Sequence, residues 1–94
     1  MIYSLRFHEL ALKEWKKLGY TLREQFKKKL AERLQEPRIA ASALSGMPDC
    51  YKIKLRTAGY RLVYRVDDGI ITVTVISVGK REGLQAYLAA QHRV

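Results

Sequence analysis

The segment CYKIKLRTAGYRLVYRVDDG, residues 50–69, carries Lys52, Lys54, Arg56, Arg61 and Arg65 and no carboxylate between Asp49 and Asp67. Cations gathered without acids suit one kind of chemistry: they hold an anion and stabilise the negative charge that builds as it reacts. A lysine crowded by positive neighbours also loses proton affinity, so it can take or give a proton near neutral pH. On a phosphodiester of RNA the 2′-hydroxyl is a built-in nucleophile, so neither a metal nor an activated side chain is compulsory. Further along, Lys80 and Arg81 extend the basic set. Tyr87 adds an aromatic ring that either stacks on a base or packs within its own helix.

Such a cluster needs a scaffold that turns the cations the same way, and the alternation supplies one. Tyr51, Ile53 and Leu55 are apolar at odd positions, whereas Tyr60, Leu62, Tyr64 and Val66 are apolar at even ones. A one-residue slip would turn every side chain to the wrong face, so burying apolar against apolar sets the register. It pairs Leu55 with Tyr60, Ile53 with Leu62 and Tyr51 with Tyr64 around a four-residue loop, Arg56 to Gly59. The same register puts Lys54 across from Arg61 and Lys52 across from Val63. Like charges facing each other across strands destabilise a sheet, so folding alone does not account for that pair. Asp68-Gly69 reads as a two-residue hairpin turn, pairing Tyr64 with Val73 and Leu62 with Val75 in a third strand.

Upstream, residues 2–7 alternate as a half-buried strand. Ala11, Trp15 and Leu18 recur at helical spacing, with Gly19 as the expected stop. Thr21 with Glu24 reads as a capping box for a second helix whose stripe is Leu22, Phe26, Leu30 and Leu34 and which Pro37 ends. Lys13, Lys16, Lys17, Lys27, Lys28 and Lys29 with Arg23 decorate these helices, either as a solvated face or as a secondary docking surface for nucleic acid. Residues 37–49 read as a loop with room for one helical turn. After Gly79, the residues Leu84, Tyr87 and Leu88 are spaced like one side of a short final helix. The expected fold is α+β: one small domain, residues 1–94, ordered β-α-α-β-β-β with that helix last. Its helices cover one face of an antiparallel sheet and leave a basic concave face open.

Lysine and arginine number 18 against 9 acids, a formal charge of +9, which makes a polyanion the default partner, nucleic acid first. An acidic protein or an anionic membrane surface would also answer to charge alone. A single cysteine, Cys50, excludes an internal disulfide and reads as a small buried filler. The start MIYSLRF has no long apolar run, so a reducing, cytoplasmic setting is expected. His8 and His92 begin no metal-ligand spacing, so no metal and no cofactor are expected.

The runs MPDCYKIKLRTAGYRLVYRV, VISVGKRE and ALKEWKKL closely resemble the RelE toxins of bacterial toxin-antitoxin pairs, from the first strand to about residue 82. The resemblance implies a metal-independent endoribonuclease that enters the ribosomal A site, beside 16S rRNA, and cuts the messenger RNA there. Attack of the 2′-hydroxyl on the adjacent phosphate leaves a 2′,3′-cyclic phosphate and a 5′-hydroxyl. The family's catalytic set falls on Lys52, Lys54, Arg61, Arg81 and Tyr87. We assign Lys52 as acceptor of the 2′-hydroxyl proton and Lys54 with Arg61 to the developing phosphorane charge. Lys54 also serves as donor to the 5′-oxygen, because a guanidinium holds its proton too strongly for that task. Arg81 steadies the scissile phosphate and Tyr87 stacks on the nucleotide. Arg56, Arg65, Lys80, Lys13, Lys16, Lys17, Arg23, Lys27 and Lys28 are the expected RNA contacts. The resemblance also implies a RelB-like antitoxin as partner, with operator DNA bound only through that antitoxin and no membrane association. One departure is Ser45, where family members carry an arginine; it bears on RNA contact and codon preference. Two other classes stay open: a same-fold ParE-like poison of DNA gyrase, and a non-catalytic ribosome- or RNA-binding module.

Overall fold

Apolar alternation sets the central hairpin as expected. Strands Cys50–Leu55 (β2) and Tyr60–Asp67 (β3) pair with Tyr51 opposite Tyr64, Ile53 opposite Leu62 and Leu55 opposite Tyr60. The computed structural model describes residues 2–94. Around the hairpin lie strand β1 (Ser4–Phe7), helices α1 (Glu9–Lys16) and α2 (Tyr20–Gln35), strand β4 (Thr72–Lys80) and helix α3 (Gln85–Arg93). The loop between α2 and β2 contains one 3-10 turn, Ala40–Ser42.

The sheet has the order β1-β4-β3-β2, and β2-β3-β4 is the antiparallel meander read from the sequence. β1 joins it in parallel, Ser4 to Phe7 against Thr72 to Val75, so the sheet is mixed. A parallel neighbour needs a long crossover, and α1 and α2 provide it. They lay Ala11, Trp15, Leu18, Phe26 and Leu30 on Ile53, Leu62, Tyr64, Val73, Val75 and Val78 to form the main core. Trp15 is its hub, with ring centroids 5.3 Å from Phe7 and 6.3 Å from Phe26. The helix start differs from the capping-box reading: Gly19 caps α2, no side chain closes its first turn, and Thr21 lies exposed.

The turn after β3 is also longer than Asp68-Gly69 suggested. Asp67 Oδ1 accepts from the amides of Gly69 at 2.9 Å and Ile70 at 3.3 Å, and Ile71 takes φ +48°. These bonds stabilise a four-residue turn, so Asp67 pairs with Thr72 and Tyr64 with Val75. A bulge beside Val63 and Tyr64 then turns two consecutive residues, Ile76 and Ser77, to the second face and brings Leu62 against Val78. β4 runs on to Lys80, with Gly79 opposite Arg61 and Lys80 opposite Tyr60.

The second face is not wholly open. α3 and the loop before β2 cover part of it, burying Met47, Cys50, Val63, Ile76, Ala86 and Ala90 with Leu44 and Tyr87 against them. Small residues make this contact: a Cβ added at Gly79 would stand 3.4 Å from the Ala86 amide nitrogen. Ser77 Oγ donates to the Ala86 carbonyl at 2.6 Å. The buried side of α3 is thus Ala86 and Ala90, while Leu84 and Leu88, expected to pack, are 56% and 51% exposed.

The hairpin loop depends on Gly59. With φ +71°, its amide donates to the Leu55 carbonyl at 2.9 Å and its own carbonyl accepts from the Arg81 amide at 2.7 Å. A β-carbon in that conformation costs about 1 kcal/mol. Gly59→Ala is therefore expected to lower the urea midpoint of unfolding with an unchanged denaturant slope; an unchanged midpoint would show that the loop relaxes without strain.

Candidate functional site

Three rungs cross the second face of the sheet. Cys50, Arg65 and Thr74 form one, Lys52, Val63 and Ser77 the next, and Lys54, Arg61 and Gly79 the last. Lys52, Lys54 and Arg61 accordingly project from the same side of the hairpin, opposite the main core. Gly79 carries no side chain on this face, where α3 comes close at Ala86. Arg61 is only 6% exposed, and its guanidinium donates to the carbonyl of Tyr60 at 3.0 Å. Among the described ion pairs it has no carboxylate. A charge held this far from water is costly unless something negative meets it.

Crowding of positive charge registers on Lys54. Its ammonium is held below the ordinary lysine pKa, first by the charge of Lys52, then by desolvation, then by Arg56, Arg61 and Arg81. That list brings Arg81 into the same field. The backbone explains how: its amide is fixed to Gly59, and Arg81 lines a hollow with Ala58, Gly59, Tyr60, Lys80 and Glu82. Tyr87 is half-buried, packed against the small core that contains Val63, the cross-strand neighbour of Lys52.

The β2 edge adds cations that the sequence reading left on the helix surface. A depression there is lined by Lys29, Arg33, Ala41, Ser42, Lys52, Ile53, Lys54 and Arg56, and a second by Gln25, Lys29, Lys54 and Arg56 with the hairpin loop. Gln25, Lys29 and Arg33 are four residues apart, one face of α2, and that spacing was the available signal. Lys29 stands free in the groove. Arg33 is occupied in building it, donating to the Lys52 carbonyl at 3.2 Å, the Tyr64 hydroxyl at 2.9 Å and Ser42 Oγ at 3.3 Å.

Other expected RNA contacts stay apart from this cluster. Arg65 lies at the far end of the face, beside Gly46, Met47, Pro48, Asp49 and Gln91, with the small core between it and Arg61. Lys13, Lys16, Lys17, Lys27 and Lys28 are exposed on the helical layer, Arg23 is half-buried there, and Lys27 pairs with Glu24 at 3.1 Å. Ser45 is exposed in the loop before β2. Cys50 is buried, and that burial pushes its thiol up, as a filler rather than a nucleophile requires. His8 caps α1, its Nδ1 accepting from the Leu10 amide at 3.1 Å. Among the described residues no three of His, Cys, Asp and Glu gather as a metal would need, and no helix is long and apolar enough to cross a membrane.

Crowding of Lys54 can be checked directly. Titration of its Nζ by NMR is expected to give a midpoint below that of an ordinary lysine. Arg56→Gln, which removes one nearby positive charge, is expected to move it upward. An ordinary midpoint in the parent protein would mean that the cations do not converge.

The model of the ParE toxin of the type II toxin-antitoxin system parDE matches residues 5–84. The mRNA interferase toxin RelE of Escherichia coli strain K12 is 63% identical over 94 residues, all of this chain and 99% of its own length, and the mRNA interferase RelE of Shigella flexneri is identical to the same degree. Among solved structures, an arginine-to-alanine double variant of E. coli RelE in the free state superposes with a TM-score of 0.92 at 62% identity, covering 100% of this chain and 99% of that one. The toxin of the intact E. coli RelBE toxin-antitoxin complex gives 0.83 at 68% identity, covering 85% and 98%. With a family model across most of the sheet and full-length relatives at this identity, the chain belongs to the RelE toxins of the RelE/ParE superfamily.

Proposed function

We propose that this chain is the toxin of a toxin-antitoxin pair and acts as an endoribonuclease that cuts messenger RNA in the ribosomal A site. The observation that carries the reading is Arg61, nearly buried without a carboxylate and set against Lys54, whose proton affinity the surrounding cations depress. A scissile phosphate supplies the missing negative charge. The RelE relatives, called mRNA interferases, agree with that chemistry.

In this mechanism Lys52, acting as the neutral amine, accepts the 2′-hydroxyl proton as the oxygen attacks phosphorus, while Lys54 is still protonated. Lys54, Arg61 and Arg81 share the charge that grows on the phosphorane oxygens, which a preformed cationic site stabilises without reorganising. Lys54 gives its proton to the departing 5′-oxygen, and a destabilised ammonium is the better acid for that step. Tyr87 orients the nucleotide by stacking, while Lys29, Arg56 and Lys80 hold flanking phosphates. No side chain here is a strong base, so the ribosome must hold the 2′-hydroxyl in line with the phosphate for the reaction to run. A RelB-like antitoxin neutralises the basic surface, and the complex represses its own operator through the antitoxin's DNA-binding part; the E. coli toxin solved with its antitoxin supports that partnership. The expected compartment is the cytoplasm.

The ParE match keeps a gyrase poison as the second reading. Brief induction followed by mapping of RNA ends on translating ribosomes separates the two. Cuts bearing 2′,3′-cyclic phosphate are expected, with Lys54→Ala and Arg81→Ala each slowing single-turnover cleavage by about a hundredfold or more. Intact messenger RNA with trapped DNA-gyrase complexes would select the gyrase reading, and salt-sensitive RNA binding without product would leave a binding module.

A further inference from the structure

β1 pairs with β4 only from Thr72 to Val75, so the same edge of β4 has no strand partner from Ile76 onward. Two side chains take that place. Glu14 of α1 accepts the Val78 amide on Oε1 at 3.0 Å, and Arg93 of α3 donates to the Ile76 carbonyl at 2.8 Å. They also pair with each other through two bonds, Nη1 to Oε1 at 2.8 Å and Nη2 to Oε2 at 2.9 Å. Burial pushes the Glu14 carboxyl up, but the bonds from Arg93 and the Val78 amide outweigh it and hold the group below the ordinary carboxylate value. The Arg93 side chain is the more deeply buried of the two, at 13% exposure.

This knot lies at one end of α3, and the other end is held by few groups. The residue leading into α3, Leu84, is in the left-handed region at φ +55°, a conformation unfavourable for leucine. The first turn is fixed through Ser77 Oγ to the Ala86 carbonyl and through small alanines on the sheet. Alanine contacts alone bury little apolar area. With the Arg93 end released, α3 would be held on the sheet only through Ser77, Ala86 and Ala90, and rotation of the helix over those small contacts would re-aim Tyr87.

We propose that Glu14 and Arg93 form a positioning clamp for the cleavage reaction, locking α3 onto the bare edge of β4 so that Tyr87 keeps its place beside the Lys52 and Lys54 rungs. The role rests on the ribonuclease reading. Neither residue touches RNA in this scheme; both act through Tyr87.

A double-mutant cycle tests it. Single-turnover cleavage on programmed ribosomes is measured for the parent, Arg93→Ala, Tyr87→Ala and the double variant. Arg93→Ala is expected to slow the parent by about tenfold, as a misplaced catalytic group does, and to change the Tyr87→Ala variant by less than about twofold. Arg93→Lys, which keeps the ion pair with Glu14, recovers most of the loss. Equal slowing in both backgrounds, no slowing by Arg93→Ala, or a Tyr87→Ala variant as fast as the parent would each overturn the clamp.

Amide hydrogen exchange of the isolated protein supplies an arm independent of activity. Arg93→Ala and Glu14→Ala are expected to speed exchange across α3 by about tenfold or more while β3 keeps its protection. A parent that cuts RNA, with α3 exchange unchanged in both variants, overturns the clamp alone. A parent that makes no cut overturns the ribonuclease reading, and the clamp's catalytic role goes with it.

Discussion

The register of β2 on β3 is the constraint from which the rest follows. Burial of Tyr51, Ile53 and Leu55 against Leu62 and Tyr64 fixes it, and each large apolar side chain so buried is worth about 1.5–3 kcal/mol. Facing Lys54 with Arg61 is the consequence, at a cost on the order of 0.2–1 kcal/mol for like charges across a pair. Packing wins by a wide margin, so the repulsion persists in the folded state. The fold can therefore hold cations at short range in a geometry they would not choose for themselves, as a preorganised anion site requires.

The acids are kept from relieving that repulsion. Asp49 closes the carboxylate-free stretch of sequence on one side and Asp68 directly follows the Asp67 that closes it on the other; both Asp49 and Asp68 are taken by Arg38, at 2.9 and 2.8 Å, with Tyr3 donating to Asp68 at 2.6 Å. This cluster gathers at the Asp49 end of β2, five residues from Lys54 and so about 16 Å away along the strand. Glu14 is held by Arg93 on the far edge of β4, and Asp67 is spent on its own turn. Separation of charge thus comes from Arg38, Arg93 and the turn after β3, which hold Asp49, Asp68, Glu14 and Asp67 away from the Lys54 rung. The excess of 18 basic over 9 acidic residues leaves a surplus to be concentrated on the second face.

Much of this was legible in the sequence because alternation encodes face and face encodes register. The pairing of Leu55 with Tyr60 through Tyr51 with Tyr64 follows from period two alone, and Lys52, Lys54 and Arg61 share a side for the same reason. What escaped the reading depends on contacts remote in sequence. Nothing within Ser4–Phe7 says that it will lie parallel to Thr72–Val75 rather than beside a hairpin partner. The bulge that turns both Ile76 and Ser77 to α3 breaks the period locally, and only the packed helix explains why both face it. Leu84 and Leu88 looked like the buried stripe of that helix because leucine is the commoner core residue. Gly79 lets the helix come into contact with the sheet, and the small Ala86 and Ala90 rather than the leucines face it. Lys29 was placed only on a helix surface that reads equally as solvated or as a docking face, because its reach to the β2 edge depends on where α2 crosses the sheet.

The depressed proton affinity of Lys54 also bears on why so small a domain can act without a histidine or glutamate at its centre. A bound phosphate would raise that affinity again, because a negative charge beside an ammonium favours the protonated form. In the proposed mechanism the anion is shared among Lys54, Arg56, Arg61 and Arg81, the last three being cations whose charge already acts on Lys54. On that scheme no single neighbour neutralises it, and Lys54 would keep part of its acidity with substrate in place. As the phosphorane collapses, negative charge shifts to the 5′-oxygen and the proton needs to travel there. A lysine made acidic by its surroundings, rather than by its own chemistry, meets that need only while the cations stay converged. Gly59, through its bond to the Arg81 amide, and the cross-strand partners of Lys54 matter for this reason, although none of that backbone touches the reacting atoms.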